Sequence, residues 1–230
     1  MRTSSLALGL VALAASAGCG TYGSMRLEPD AAKPPEIFGD IESREFGKTV
    51  RVKLPTELVV ADVCAKASRG RESKGDKRTV ALADALAGAS ETFKNVEPLF
   101  VDAWSAKYGD LRSAASRHHA DLMLVASMTE RVDGKNDLLL GALNLLVVPA
   151  FVVPTRTQDV ALNLRVAVID VRNDLVYATF EDHREERVHA TAVGESDAVE
   201  AAFDRLYADS LAKLKTRVVD RLKQLNVGTD

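Results

Sequence analysis

The stretch from Val160 to His183, VALNLRVAVIDVRNDLVYATFEDH, constrains this chain more than any other. Val160, Leu162, Leu164, Val166 and Val168 share one parity, while Asn163 and Arg165 fall on the other beside Ala161, Ala167 and Ile169. A repeat of two marks a strand with one face in a core and the other partly wet. Arg172-Asn173-Asp174 interrupts the pattern with residues that tolerate left-handed backbone and bond their own main chain, and Leu175 to Phe180 resumes it. The expectation is a β-hairpin with a sheet built around it.

The first eighteen residues carry a different signal. Arg2 precedes an apolar run from Leu6 to Ala15, and small residues follow. This is the three-part layout of a secretory leader, and it is too short for a comfortable membrane span. Ala17-Gly18-Cys19 at its end resembles the lipobox of bacterial lipoproteins, in which a signal peptidase cuts before the cysteine and the new terminus is acylated. The resemblance implies a lipid anchor on Cys19. With Gly20 rather than aspartate next, it also implies delivery to the outer membrane, facing the periplasm. Each acyl methylene buried contributes ~0.8 kcal/mol, so several chains hold firmly. The alternative is an ordinary secretory signal cut near Ala17, with Cys19 left as a thiol. Residues 19–48, with Pro29, Pro34, Pro35, Gly39 and Gly47 and no sustained period, read as a flexible tether. Residues 49–230 read as one domain, a size suited to a single hydrophobic core.

Within that domain Val50 to Ala65 contains strand: Val50, Val52 and Leu54 alternate with Arg51 and Lys53, Pro55 interrupts, and Leu58 to Val63 continues as a denser run suited to burial on both faces. Thr79 to Lys94 reads as a helix with Leu82, Leu86, Ala89 and Phe93 on one face. Val96 to Val101 reads as an edge strand because of Pro98. A short helix follows from Asp110, a plausible N-cap, to His119, and then a strand from Leu122 to Met128. The last element is a long helix, Asp197 to Leu225. Val199, Ala202, Phe203, Leu206, Ser210, Leu211, Leu214, Val218, Leu222 and Leu225 form its stripe, with cations gathered toward its end. The sum is an α/β (α+β) domain: a mixed, mostly antiparallel sheet covered by helices on one side, with a long C-terminal helix.

Asp137 to Pro154, DLLLGALNLLVVPAFVVP, is almost continuously apolar between charged flanks. Three readings stay open. It is a buried part of the core, an apolar loop that meets a membrane or another subunit, or a membrane span. The last is disfavoured by Asn144, Pro149 and an apolar core of only about 16 residues against the ~20 a spanning helix needs. As an interaction surface its contact residues would be Leu143, Leu145, Val147, Phe151 and Val153.

Candidate chemistry is sparse. A formal net charge of -3 gives no concentrated positive field, which argues against nucleic acid as a partner. The polar loop Ser68–Arg78 holds lysines and arginines diluted by Glu72 and Asp76, and it lacks a phosphate-cradling glycine pattern. His118 and His119 are adjacent on a helix and diverge by about 100°. His183 and His189 share a strand face with Glu181 and Glu185 but stand roughly 20 Å apart. Neither pair suits one metal ion, and no cofactor is expected. Cys64 lies among aliphatics, which raise a thiol pKa. Asp170 and Asp174 are explained by turn chemistry, and Trp104 and Tyr177 as packing anchors.

The strings HADLMLVASM, LNLLVVPAFVVP and QDVALNLRVAVIDVRNDLVYAT together resemble the rhombotarget (rhombotail) lipoproteins, a bacterial outer-membrane family of unknown role. More loosely, the strand, hairpin and long helix are similar to periplasmic lipoproteins of the curli-secretion and TolB N-terminal kind. The chain end KQLNVGTD lacks the glycine-rich stretch, apolar helix and basic tail of the name-giving members. The resemblance implies an envelope lipoprotein that is not an enzyme. Apart from the resemblance, the leading reading of the residues is a module that binds a protein partner or a second copy through a sheet edge or the 137–154 segment. The alternatives are an oligomeric secretion accessory that inserts 137–154 into the membrane, and a cryptic hydrolase using Cys64 or a histidine.

Overall fold

The structure is a computed structural model, and it describes residues 36–44, 52–63, 74–100, 107–136, 156–191 and 195–226. Five strands form one mixed sheet: β1 (Thr56–Asp62), β2 (Phe93–Leu99), β3 (Leu122–Asn136), β4 (Arg156–Asp170) and β5 (Val176–Ala190). Their order across the sheet is β2-β1-β3-β4-β5. β1 pairs parallel with β2 and β3, and the long ladders β3·β4 and β4·β5 are antiparallel. Among the described residues four helices pack around it: α1 (Glu36–Glu42), α2 (Lys74–Ala87), α3 (Tyr108–Arg117) and α4 (Glu195–Asn226).

The β4–β5 hairpin lies where its alternation puts it. Val160, Leu162, Leu164, Val166 and Val168 point into the larger core with Leu58, Val60, Leu124 and Tyr177, beneath α2 and α4. The α4 stripe is buried from Ala202 to Leu225, including Ser210, while Val199 is half-buried. At 32 residues α4 is about 48 Å long, enough to span the ladder it covers.

The helices are not confined to one side, which corrects the expected layout. A second core forms on the opposite face from Val59, Ala61, Met123, Val125, Ala167, Ile169 and Val176, closed by Tyr108, Leu111 and Ala115 of α3 and by Ile37, Phe38 and Ile41 of α1. Within the segment expected to be a flexible tether, 19–48, the described residues 36–42 are this helix, and its three apolar side chains are 4 % exposed or less. The isolated residues of β4's other parity, Ala167 and Ile169, are what α1 and α3 cover.

Several boundaries move as well. Phe93 opens β2 instead of closing a helix, because α2 ends at Ala87 and the chain turns through hydrogen bonds from the N–H groups of Thr92 and Phe93 to the Ala89 carbonyl. α3 starts at Tyr108, so Asp110 sits in its first turn and Lys107 takes the N-cap without a side-chain bond. The dense run of the first segment is β1, Thr56–Asp62, while the described residues before it, 52–55, are not strand. β3 runs to Asn136, well past Met128, since every residue from Leu122 to Asn136 has a partner on β4.

Candidate functional site

β1 leaves β3 at the Asp62–Ala126 pair, and β3 continues with β4 for ten more residues, 127–136. With β5 this forms a three-stranded arm projecting roughly 33 Å beyond the parallel part of the sheet. One face of the arm lies against α4 through Met128, Val160, Leu162 and Val188, with Asp182 buried among them. The other face carries Thr129, Arg131, Asp133, Asp159, Asn163, His183, Glu185 and Arg187, and it is wet or half-wet.

The groups on that face are already engaged with one another. Arg187 donates to Asp159 at 2.7 Å, Arg131 pairs with Asp133 at 2.8 Å, and the Asn163 amide donates to Glu181 at 2.9 Å. His183 meets Glu185 at 2.9 Å and His189 meets Thr157 at 3.2 Å. The two histidines thus share a face, as their parity implies, but each has its own local partner. His118 contacts Glu97 at 2.9 Å, and His119 ends α3 with a φ of 56°. Among the described residues no group of three His, Cys, Asp or Glu could hold a metal ion.

β5 is one edge of the sheet, and its middle reads Glu181-Asp182-His183-Arg184-Glu185-Glu186-Arg187. Charges at this density discourage another strand from pairing there. α4 adds a second obstacle: the guanidinium groups of Arg217 and Arg221 donate to the backbone carbonyls of Glu181 and Tyr177, both at 3.4 Å.

Asp182 is the buried acid of this edge, 8 % exposed. It accepts from Arg184 at 2.7 Å, from the Ser210 hydroxyl at 3.0 Å and from Lys213. Burial alone would raise its pKa, but these three donors outweigh it and hold the carboxyl below its ordinary value. Ser210, the one polar residue in the α4 stripe, thereby finds its purpose. The small cavity nearby is lined by Leu164, Phe180, Asp182, Lys213, Leu214 and Arg217. It lies in the seam between sheet and helix.

Two further acids fasten the hairpin turn. Asp170 accepts from the backbone N–H groups of Arg172 and Asn173 at 2.8 and 2.7 Å, from the Asn173 amide, and from the buried Tyr177 hydroxyl. Burial would push this carboxyl up, yet the bonds from Tyr177, Asn173 and Arg172 leave it below its usual range. Asp174, at φ 60°, has a role that turn chemistry does not account for. It receives the Tyr108 hydroxyl at 2.5 Å, pairs with Arg44, and has Arg112 at 3.6 Å. Arg44 also lies over the Tyr108 ring, 4.2 Å from its centre. The hairpin tip therefore ties Arg44, just past α1, and Tyr108 and Arg112 of α3 to the sheet.

The expected lipidation residue Cys19, the candidate surface Leu143, Leu145, Val147, Phe151 and Val153, and Cys64 and Trp104 lie outside the described residues. What the structure gives for the surface is its attachment: Asn136 and Arg156, on either side of 137–155, are paired with each other at the end of the arm. No described helix is long and apolar enough to cross a membrane.

No family model matches the chain, and no curated protein matches it. Among solved structures it is similar to a Xanthomonas campestris protein of the DUF330 family, at 12% identity and TM-score 0.43, covering 79% of this chain and 92% of that one. It is also similar to PelC of Paraburkholderia phytofirmans, solved as a dodecamer, at 11% identity and TM-score 0.41, covering 76% and 94%. A third is the lipoprotein GNA1162 of Neisseria meningitidis, at 13% identity and TM-score 0.35, covering 66% and 98%. Likeness this distant does not carry a function or an assembly over to this chain.

Proposed function

We propose that this chain is a lipoprotein of the bacterial cell envelope, anchored through Cys19 in the outer membrane and facing the periplasm, which acts by contact and not by catalysis. Its contact surface is the apolar segment 137–154, presented at the end of the β3–β4 arm to a protein partner or to a second copy of the chain.

The observation that carries this reading is the unbroken pairing of β3 and β4 out to Asn136 and Arg156. The chain enters and leaves residues 137–155 at that pair, ten residues along β3 from Ala126, the last residue that β1 pairs. The β5 edge is less suited to the task, because its charges and the α4 arginines oppose strand addition. Catalysis gains no support from the described acids and histidines, whose bonds fasten turns, the α4 seam and neighbouring strands.

Replacing Leu145 and Val147 together by aspartate in the full chain tests the reading. The expected result is an unchanged far-ultraviolet circular dichroism spectrum and loss of association in light scattering. Collapse of the secondary structure would show instead that the segment belongs to the core.

A further inference from the structure

We propose that the outward face of α4 docks against α4 of a second copy of this chain, the two helices running antiparallel about a two-fold axis at the level of Ser210. The contact is separate from the 137–154 segment and does not depend on the lipid anchor.

The observation behind it is how charge is divided along the helix. Its first half, residues 195–210, carries Glu195, Asp197, Glu200, Asp204 and Asp209 against Arg205. Its second half, residues 211–226, carries Lys213, Lys215, Arg217, Arg221 and Lys223 against Asp220. Acids at the start and cations at the end suit the helix dipole, but that effect fades within the first and last turn. Asp204 and Arg217 each lie more than two turns from the nearer end, where the dipole gives no reason for their sign. Part of the division is satisfied within the chain: Asp182 holds Lys213, Glu186 holds Arg205, and Arg184 reaches Asp209 at 3.4 Å. Asp197 and Asp204, by contrast, are exposed and have no ion-pair partner among the described residues. In the second half Arg217 reaches only the Glu181 carbonyl, at 3.4 Å, and Lys223 meets Glu91 at 3.3 Å, where both side chains are exposed.

A helix laid antiparallel against its own copy sets each half against the other, so a face acidic at one end and basic at the other is complementary to itself. With the axis at residue 210, near the middle of the helix, Asp197 falls opposite Lys223 of the second copy, and Asp204 falls opposite Thr216 and beside Arg217. Ala208 falls opposite Ala212, so no long side chain holds the helices apart at the axis. The like pairs of this register, Glu200 with Asp220 and Arg205 with Lys215, each include a half-buried side chain away from the middle of the face. A face about 48 Å long and roughly 10 Å wide offers ~500 Å² per copy and ~1,000 Å² in all, the size of a reversible contact. Its strength therefore rests on charge. The screening length falls from about 8 Å at physiological ionic strength to about 3 Å at 1 M, so salt should dissolve it. An apolar contact through 137–154 has no such dependence.

Sedimentation equilibrium of the full chain in neutral detergent tests the proposal. Self-association is expected at physiological ionic strength, weakening about tenfold or more at roughly 1 M salt. Asp197→Lys with Asp204→Lys in one chain should weaken it about tenfold, and so should Arg217→Glu with Lys223→Glu in another. All four sites are exposed, so circular dichroism should not change. An equimolar mixture of the two variants sets opposite charges against each other again and should associate as the native chain does. A native chain that stays monomeric, or whose association ignores salt, would overturn the proposal without any variant. So would association that both variants keep, or two folded variants that fail to recover it when mixed. Leu145→Asp with Val147→Asp separates the two surfaces. Association lost there and kept in the charge variants removes the α4 contact and leaves 137–154; the reverse leaves α4 and removes 137–154.

Discussion

At the scale of single residues, the acids of the β4–β5 hairpin divide into two kinds of work. Asp170 closes its own turn with three neighbouring donors and Tyr177, so the loop needs no glycine. Asp182 reaches across to Ser210 and Lys213 and fixes β5 against α4. Both carboxyls lie below their ordinary value of 3.8 in the folded protein. A carboxyl depressed by folding contributes stability that is complete above its unfolded pKa and vanishes as pH falls through the folded one. Urea unfolding should therefore show stability constant near neutrality and declining from about pH 5 downward. Asp182→Asn should cost about 1–2 kcal/mol at pH 7 and remove part of that acid dependence. An equal cost at pH 7 and pH 3 would mean that the charge on Asp182 plays no part.

Among the elements, α1 and α4 show opposite routes to a buried helix. α4 brings a stripe of eight buried apolar residues and Ser210, so its place is secure from its own sequence. α1 brings three apolar residues, and its place depends on a groove made by α3 and the sheet. Ile41 is 0 % exposed, so Ile41→Ala should cost about 3 kcal/mol. Val80→Ala, at a site 38 % exposed on α2, should stay within about 0.5 kcal/mol in the same chemical-denaturation assay. A soluble fragment starting at Lys48 omits α1 altogether. It should bind the dye ANS and unfold at lower urea than one starting at Gly20, and identical behaviour of the two would show that α1 adds nothing to the fold.

For the whole molecule, the two cores are unequal in extent. The larger one runs the length of the antiparallel arm under α4, whereas the smaller one stops near Ala167 and leaves the rest of that face polar. Among the described residues, the helix that runs along the arm, α4, lies on one face of it. Anchoring through Cys19 predicts that Cys19→Ser moves the chain from the membrane fraction to the soluble periplasmic fraction without altering its circular dichroism. Retention in the membrane would place the attachment elsewhere, with 137–154 the first place to look.

What the sequence determined by itself is periodic: the hairpin with its polar turn, the α4 stripe, and the mixed α/β class all follow from repeats of 2 and 3.6 over long runs. The short or mixed segments were decided in three dimensions. α1 has only Ile37, Phe38 and Ile41 to mark it among prolines and glycines, a spacing that means nothing until α3 and Ile169 supply the groove. The polar half of β3, Thr129 to Asn136, carries no strand signal apart from Val132, and it is a strand because β4 offers a partner to every residue. Asp174 reads as an ordinary turn residue until folding brings Arg44, 130 positions away, against it. Local pattern fixes which face of a long element is apolar, but contacts between segments far apart in the chain decide what covers that face. The alternation of β4 announced a buried side, and only the packed structure put α1 and α3 over Ala167 and Ile169 on the other.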